Sequence, residues 1–169
     1  MTMEDRTTDI LNNQFMVAAN AVQQMIFCVD TEEFGVDVAK VQEIIRYQKP
    51  FKVPNTPEFV SGVISFRGEV IPVLDLRRIF GLGSVQYDGF TVILVVQTGA
   101  KTFGMIVDRV LDIMNILEAN IQNPPELGAK DKTRYLRAMG QMGQRLILML
   151  DLEKIVNFRE FEDSLNQEI

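Results

Sequence analysis

A mainly β protein, folded as two small barrels packed against each other, is the fold class that this 169-residue sequence predicts. Three observations carry that expectation. Short apolar segments with a period of two recur along most of the chain, which is the pattern of strands rather than of helices. They are separated by Gly68, Gly81, Gly83, Gly99, Pro124-Pro125 and Gly143, the spacing of an antiparallel sheet curled into barrels so that few edges stay open. Runs such as VILVV (92–96) and LILML (146–150) are apolar without alternation, so their strands need cover on both faces, and a second barrel supplies it.

Element by element, residues 1–22 read as an extension in which Ile10, Leu11, Phe15, Ala18, Ala19 and Val22 permit a short amphipathic helix. From Gln24 to Val29 the period is two, ending at the turn-like Asp30-Thr31-Glu32-Glu33, and 34–37 resumes it as the second arm of a hairpin. Val38, Val41, Ile44 and Ile45 then recur at helical intervals, which predicts a two-turn helix over 38–45 with Asp37 as its N-cap. Prolines 50, 54 and 57 make 51–57 an extended loop with at most an edge strand. Strands follow over 62–66, 69–74, 91–97, 101–107, 110–116, 136–140 and 145–150. From Asp151 onward Leu152, Ile155, Val156, Phe158, Phe161 and Leu165 form the apolar stripe of a C-terminal helix.

Composition excludes much chemistry. The chain has no histidine, which removes imidazole acid–base catalysis, the serine and cysteine arrangements that depend on it, and imidazole metal ligation. Its single cysteine, Cys28, forms neither an intrachain disulfide nor a thiolate cluster, and reads as a small core residue. A net charge of −6 without a dense basic patch argues against nucleic acid and anionic lipid. No apolar run reaches the roughly 18 residues that span a bilayer, and MTMEDRTTDI lacks the basic-then-apolar order of a secretory signal, so a cytoplasmic protein is expected.

The motifs are equally sparse. Gly81-Leu82-Gly83-Ser84-Val85-Gln86 starts like a dinucleotide loop but lacks the third glycine and the βαβ context, so it reads as a surface loop. Asp30, Glu32, Glu33, Asp37, Glu43, Asp75 and Asp108 have no spacing that converges them, and read as solvated or turn-forming carboxylates. No catalytic residue, metal site or cofactor is assigned. The one charged position that invites a role is Arg67, beside Gly68 at the turn of VISFRGEVIPVLDL. Gly68 supplies the positive φ of a tight hairpin, which leaves the arginine at the tip, either merely solvated or presented to a partner carboxylate or carbonyl.

FGVDVAKVQEII, NTPEFVSGVISFRGEVIPVLDLRRIFGL and FGMIVDRVLDI, in this order, resemble the CheW family of chemotaxis coupling proteins from about Gln24 to Val156. The resemblance implies two SH3-like five-stranded barrels with a groove between them, spanning 23–157 between an extension at 1–22 and a tail at 158–169. It implies a non-catalytic cytoplasmic adaptor that couples the cytoplasmic tips of chemoreceptors to the CheW-like regulatory domain of the CheA histidine kinase. Such an adaptor reaches membrane-associated arrays through its partners, with no membrane insertion of its own. Receptor contact then falls to Val41, Arg67, Val92, Ile93 and Ile113, and kinase contact to Glu43, Ile44 and Gly62. Family members commonly have Asn-Leu or Asn-Ile before Arg-Gly, whereas this chain has Ser65-Phe66. Two other functions stay open: a related adaptor in a pilus-motility or other chemosensory array, and a barrel that binds a small ligand between its two halves.

Overall fold

The computed structural model describes residues 20–83, 86–124 and 132–156. Eleven strands form two sheets among these residues. The first contains β1 (Ala21–Val29), β2 (Glu32–Asp37), β8 (Arg109–Leu117), β9 (Ile121–Gln122), β10 (Leu136–Met142) and β11 (Arg145–Leu150), in the order β8-β1-β2-β11-β10-β9. The second contains β3 (Val41–Arg46), β4 (Val60–Phe66), β5 (Glu69–Asp75), β6 (Val92–Thr98) and β7 (Lys101–Val107), in the order β3-β6-β7-β5-β4. The chain therefore begins in one barrel, builds the whole of the other, and returns. Neighbours are antiparallel except β5 with β7 and β2 with β11.

Three apolar clusters account for the continuous apolar runs. Ile64, Ile71, Val73, Ile93, Val95 and Ile106 fill the second barrel, and Ile26, Ile116, Ala138, Ile147 and Met149 fill the first. The largest cluster lies between the barrels and takes Met25, Phe27, Phe34, Leu74, Leu94, Val96, Met105 and Leu150, among others. In β6, Ile93 and Val95 enter the barrel while Val92, Leu94 and Val96 face the layer between barrels, so both faces are dry. Aromatic contacts stitch this layer together. Phe34 lies 5.8 Å from Phe27 and 4.9 Å from Phe80, and Phe80 meets Tyr135 edge-on at 6.1 Å. Each such ring contributes on the order of 2–3 kcal/mol by burial alone.

The helix expected over 38–45 is absent. A 3-10 turn covers Val38–Lys40, with Asp37 capping it through the Ala39 N–H at 3.0 Å, and Val41–Arg46 is a strand. A β-bulge produced the false signal: Val41 pairs with Val96 and Ile44 with Leu94, so Gln42 is an extra residue in β3. Three residues in β3 thus match two in β6, so Val41 and Ile44 share a face at an interval of three while Ile45 faces the other way, and the strand acquires a helical spacing.

Other differences are smaller. The first sheet has six strands rather than five, because a 3-10 turn at Glu118–Asn120 sets the two-residue β9 beside β10. Helix α1 (Leu76–Ile79) was not foreseen; Asp75 caps it by accepting from the Arg77 N–H at 3.0 Å. The 51–57 loop contributes only the bridge Phe51↔Val63. At the C-terminus α2 (Leu152–Val156) holds Leu152, Ile155 and Val156 in the core, while Phe158, Phe161 and Leu165 lie outside the described residues. The helix allowed in the N-terminal extension also lies outside them, except that Val22 belongs to β1, which starts at Ala21.

Candidate functional site

The β4–β5 hairpin closes in a two-residue turn, Phe66 pairing with Glu69. Both central residues have positive φ, +50° at Arg67 and +80° at Gly68, which is the arrangement whose twist matches a right-handed hairpin. For Arg67 this conformation costs about 1–2 kcal/mol that glycine would not incur. Its guanidinium lies over the Phe66 ring, 4.9 Å from the centroid. Phe66 in turn packs with Ile45 and Tyr47 against the second barrel's core. Phe66 therefore serves as a platform for the arginine. No carboxylate among the described residues pairs with Arg67, so its charge faces solvent.

Strand register locates Val41 relative to this tip. β3 starts opposite the end of β6, where Lys40 Nζ donates to Thr98 Oγ1 at 3.3 Å, and β7 starts just after it. Because β5 runs parallel to β7, the Arg67-Gly68 turn lies at the same end of the second sheet as Val41. Val41, Ile44 and Val92 all face the layer between the barrels: Val41 and Val92 are half-buried on it, and Ile44, on the edge strand, is 44% exposed. Ile113 reaches the same layer from the first sheet, opposite Met25 on edge strand β8, and is 53% exposed. The dry layer thus runs out to the surface as a groove at its two edges.

Two expected contact residues occupy different situations. Ile93 is fully buried inside the second barrel, where its side chain packs the core rather than the surface; alternation places it opposite to Val92. Gly62 is also buried, with φ +146°, and a Cβ there would stand 2.1 Å from the Phe51 carbonyl oxygen. Its role is a seat for the loop. Phe51 exchanges both backbone hydrogen bonds with Val63 at 2.9 Å, and its ring is left 80% exposed. That Phe51 is thereby displayed has no local sequence signal, since it depends on the bridge. Glu43 is exposed beside Ile44, as the resemblance implies for a contact residue.

The carboxylates are more structural than their sequence positions suggest. Asp75 is buried, caps α1 and accepts the Tyr87 hydroxyl at 2.9 Å. Burial first, and then this carboxylate, push the Tyr87 phenol well above the usual tyrosine range. Asp108 takes Arg77 Nε at 3.0 Å and Nη2 through its other oxygen, which also accepts the Asp30 N–H at 2.7 Å. The hydrogen bond to Asp108 raises the Arg77 pKa, and Nη1 donates to the Gly83 carbonyl at 2.6 Å. Glu33 pairs with Arg145 at 2.8 Å. Burial raises the Cys28 thiol, with Asp108 adding to it, which disfavours the reactive thiolate. Among the described residues no group of three His, Cys, Asp or Glu converges as a metal site, and no helix is long and apolar enough to cross a membrane.

Comparison with known proteins now bears on this geometry. Residues 23–160 match the family described as the CheW-like domain. The chemotaxis protein CheW of Klebsiella aerogenes is 37% identical over 136 residues, covering 80% of this chain and 82% of that protein. Protein FrzA of Myxococcus xanthus is 34% identical over 138 residues, 79% of this chain and 86% of FrzA. Among solved structures, the scaffolding protein TtCheW from Thermoanaerobacter tengcongensis superposes with a TM-score of 0.75 at 29% identity, covering 84% of this chain and 93% of TtCheW.

Proposed function

This chain belongs to the CheW-like domain family, and from that premise we propose that it is a chemotaxis adaptor coupling chemoreceptor tips to the regulatory domain of the CheA histidine kinase. A scaffold role in chemotaxis comes with the family; the two partners are the finer reading. The observation that carries it is Arg67, held in a left-handed turn over Phe66 with its charge unpaired among the described residues, at the same end of the sheet as Val41. Such a fork suits carboxylates or carbonyls on a receptor helix, with Val41 offering an apolar surface at the same end of the sheet and Val92 and Ile113 assigned to the same partner farther along the layer between the barrels. Kinase contact is assigned to Glu43 and Ile44 on the exposed edge, with Gly62 acting through the loop it seats. The protein catalyses nothing in this reading, binds no cofactor, and joins membrane arrays through its partners alone.

The test measures receptor-dependent kinase activity, receptor binding and melting together. Arg67→Ala is expected to leave melting within about 0.5 kcal/mol of the parent and to abolish receptor control. Normal signalling by this variant would refute the role of the tip. Val41→Glu should also lose control, though with a stability cost, because Val41 packs partly on the core. Ile44→Asp should weaken kinase binding by about 2 kcal/mol or more, and unchanged binding would remove Ile44 from that interface. A second reading, an adaptor of a pilus-motility or other chemosensory array, rests on the likeness to FrzA, a relative that does not bear the chemotaxis name.

A further inference from the structure

Away from the groove, a cleft of 340 Å³ opens between the loop joining β3 to β4 and helix α1. Tyr47, Lys49 and Lys52 line its loop side, and Arg78 and Tyr87 stand on the other. The wall is rigid before any ligand arrives. The Tyr47 and Tyr87 rings lie 4.1 Å apart, and the Tyr87 hydroxyl is anchored on buried Asp75, which also caps the helix carrying Arg78.

Three cations meet at this cleft in a chain of net charge −6. Lys49 and Lys52 have no ion pair among the described residues. Arg78 stands with its Nε 3.8 Å from Oδ2 of buried Asp75, and its Nη1 donates to an exposed side chain, Glu58 Oε1 at 2.5 Å, with Glu58 84% exposed. An exposed pair of this kind is weak and exchanges readily with another carboxylate. Glu58 therefore shows what Arg78 accepts and occupies the position that an incoming carboxylate would take. Because the cations stand on two elements, loop and helix, a ligand that engages all three needs more than one carboxylate. The Val53, Pro57 and tyrosine surfaces suit the aliphatic stems between them.

We propose that this cleft docks an acidic polypeptide segment of a partner protein, with Arg78, Lys49 and Lys52 taking its carboxylates and Glu58 acting as an intramolecular competitor. A polypeptide is favoured over a free small acid because the carboxylate already at Arg78 is a glutamate side chain, and because a chain of such side chains spans both elements. The site lies apart from the Arg67 tip but shares its loop with the surface that Gly62 seats, and direct peptide binding tests it without reference to receptor or kinase.

The probe is a hexaglutamate peptide, titrated into the full chain at low ionic strength with glutarate in parallel. The chain has three tyrosines and no tryptophan, so tyrosine emission, two of whose sources line the cleft, reports occupancy. Saturable peptide binding is expected. Arg78→Gln and Lys52→Gln should each weaken it about fivefold or more; Lys52→Gln, at an exposed position, should leave melting unchanged, whereas Arg78→Gln also removes the cation beside buried Asp75. Glu58→Gln should tighten it about threefold, a gain that a purely structural ion pair would not produce. Absence of binding at millimolar peptide, indifference to Arg78→Gln, or no tightening with Glu58→Gln would overturn the site. Glutarate binding as tightly as the peptide would overturn the polypeptide assignment.

Discussion

Arg67 and Arg77 carry the same guanidinium into opposite situations. Arg77 is only 7% exposed, and its donors are taken by both oxygens of Asp108 and by the Gly83 carbonyl, with Asp30 Oδ1 at 3.9 Å. This cluster fastens α1, the β7–β8 crossover and the β1–β2 turn to one another, and so holds the two barrels in register. Arg67 lies on an aromatic ring with no anion paired to it among the described residues. The contrast teaches that a guanidinium whose charge is met by a carboxylate inside the chain is part of the fold, whereas one held in place with its charge facing solvent is available to a partner.

The comparison breaks most visibly at Arg77. Arg77→Ala leaves the Asp108 carboxylate without its main partner at the junction, and is expected to destabilise the chain by about 3 kcal/mol, read from urea unfolding. A loss no larger than that of Arg67→Ala would show that the junction cluster is a solvated surface pair. Gly62→Ala probes how loop seating is separated from contact. The new Cβ meets a backbone carbonyl that has little room to move, so a cost of about 1–3 kcal/mol is expected, together with loss of the Phe51↔Val63 bridge, seen as faster amide exchange at Val63. Ordinary protection at Val63 in a stable variant would contradict this account of Gly62.

A sharper experiment at the tip is Arg67→Gly. Relief of the left-handed strain should raise unfolding free energy by about 0.5–1 kcal/mol while receptor control disappears, so stability and function move in opposite directions. A destabilised Arg67→Gly would place the arginine with Arg77 as a structural residue. The smallest effect concerns pH. Tyr47 and Tyr87 have raised pKa values, in both cases chiefly by burial and then by the Asp75 charge. Their neutral forms are favoured in the folded chain, so the stability they support is complete below the unfolded tyrosine pKa of about 10 and is lost as pH rises beyond it. Tyr87→Phe should therefore flatten the fall in stability above about pH 10 relative to the parent, measured as urea midpoints across an alkaline series.

Much of this architecture could be read from residue order. Alternation marks β4, β5 and β7 nearly to their ends and β1 from Gln24, and VILVV and LILML announce strands covered on both faces because no single sheet face can shelter five consecutive apolar side chains. Gly68 announces a turn because only that residue takes positive φ without strain. The site was legible to a lesser degree. Arg67, Val41, Ile44 and Ile113 lie where a partner can reach them, but Ile93 does not, since its neighbour Val92 faces the groove and successive strand residues face opposite ways.

By itself, then, the sequence determined the β class, the run of hairpins, the tight turn carrying Arg67 and the exclusion of imidazole chemistry, all of which depend on residue type and on neighbours along the chain. Only the tertiary structure decided that 41–46 is a strand, because the bulge at Gln42 has meaning only against its partner β6. It alone decided that Asp75 is a buried fixture and Asp108 a half-buried one, because their partners Tyr87 and Arg77 approach through folding. It likewise decided that Phe66 supports Arg67 and that Gly62 displays Phe51, since each depends on how two separate segments meet. Periodicity records which side a residue faces; what stands on that side is settled by pairings between distant segments, whose register no local pattern encodes.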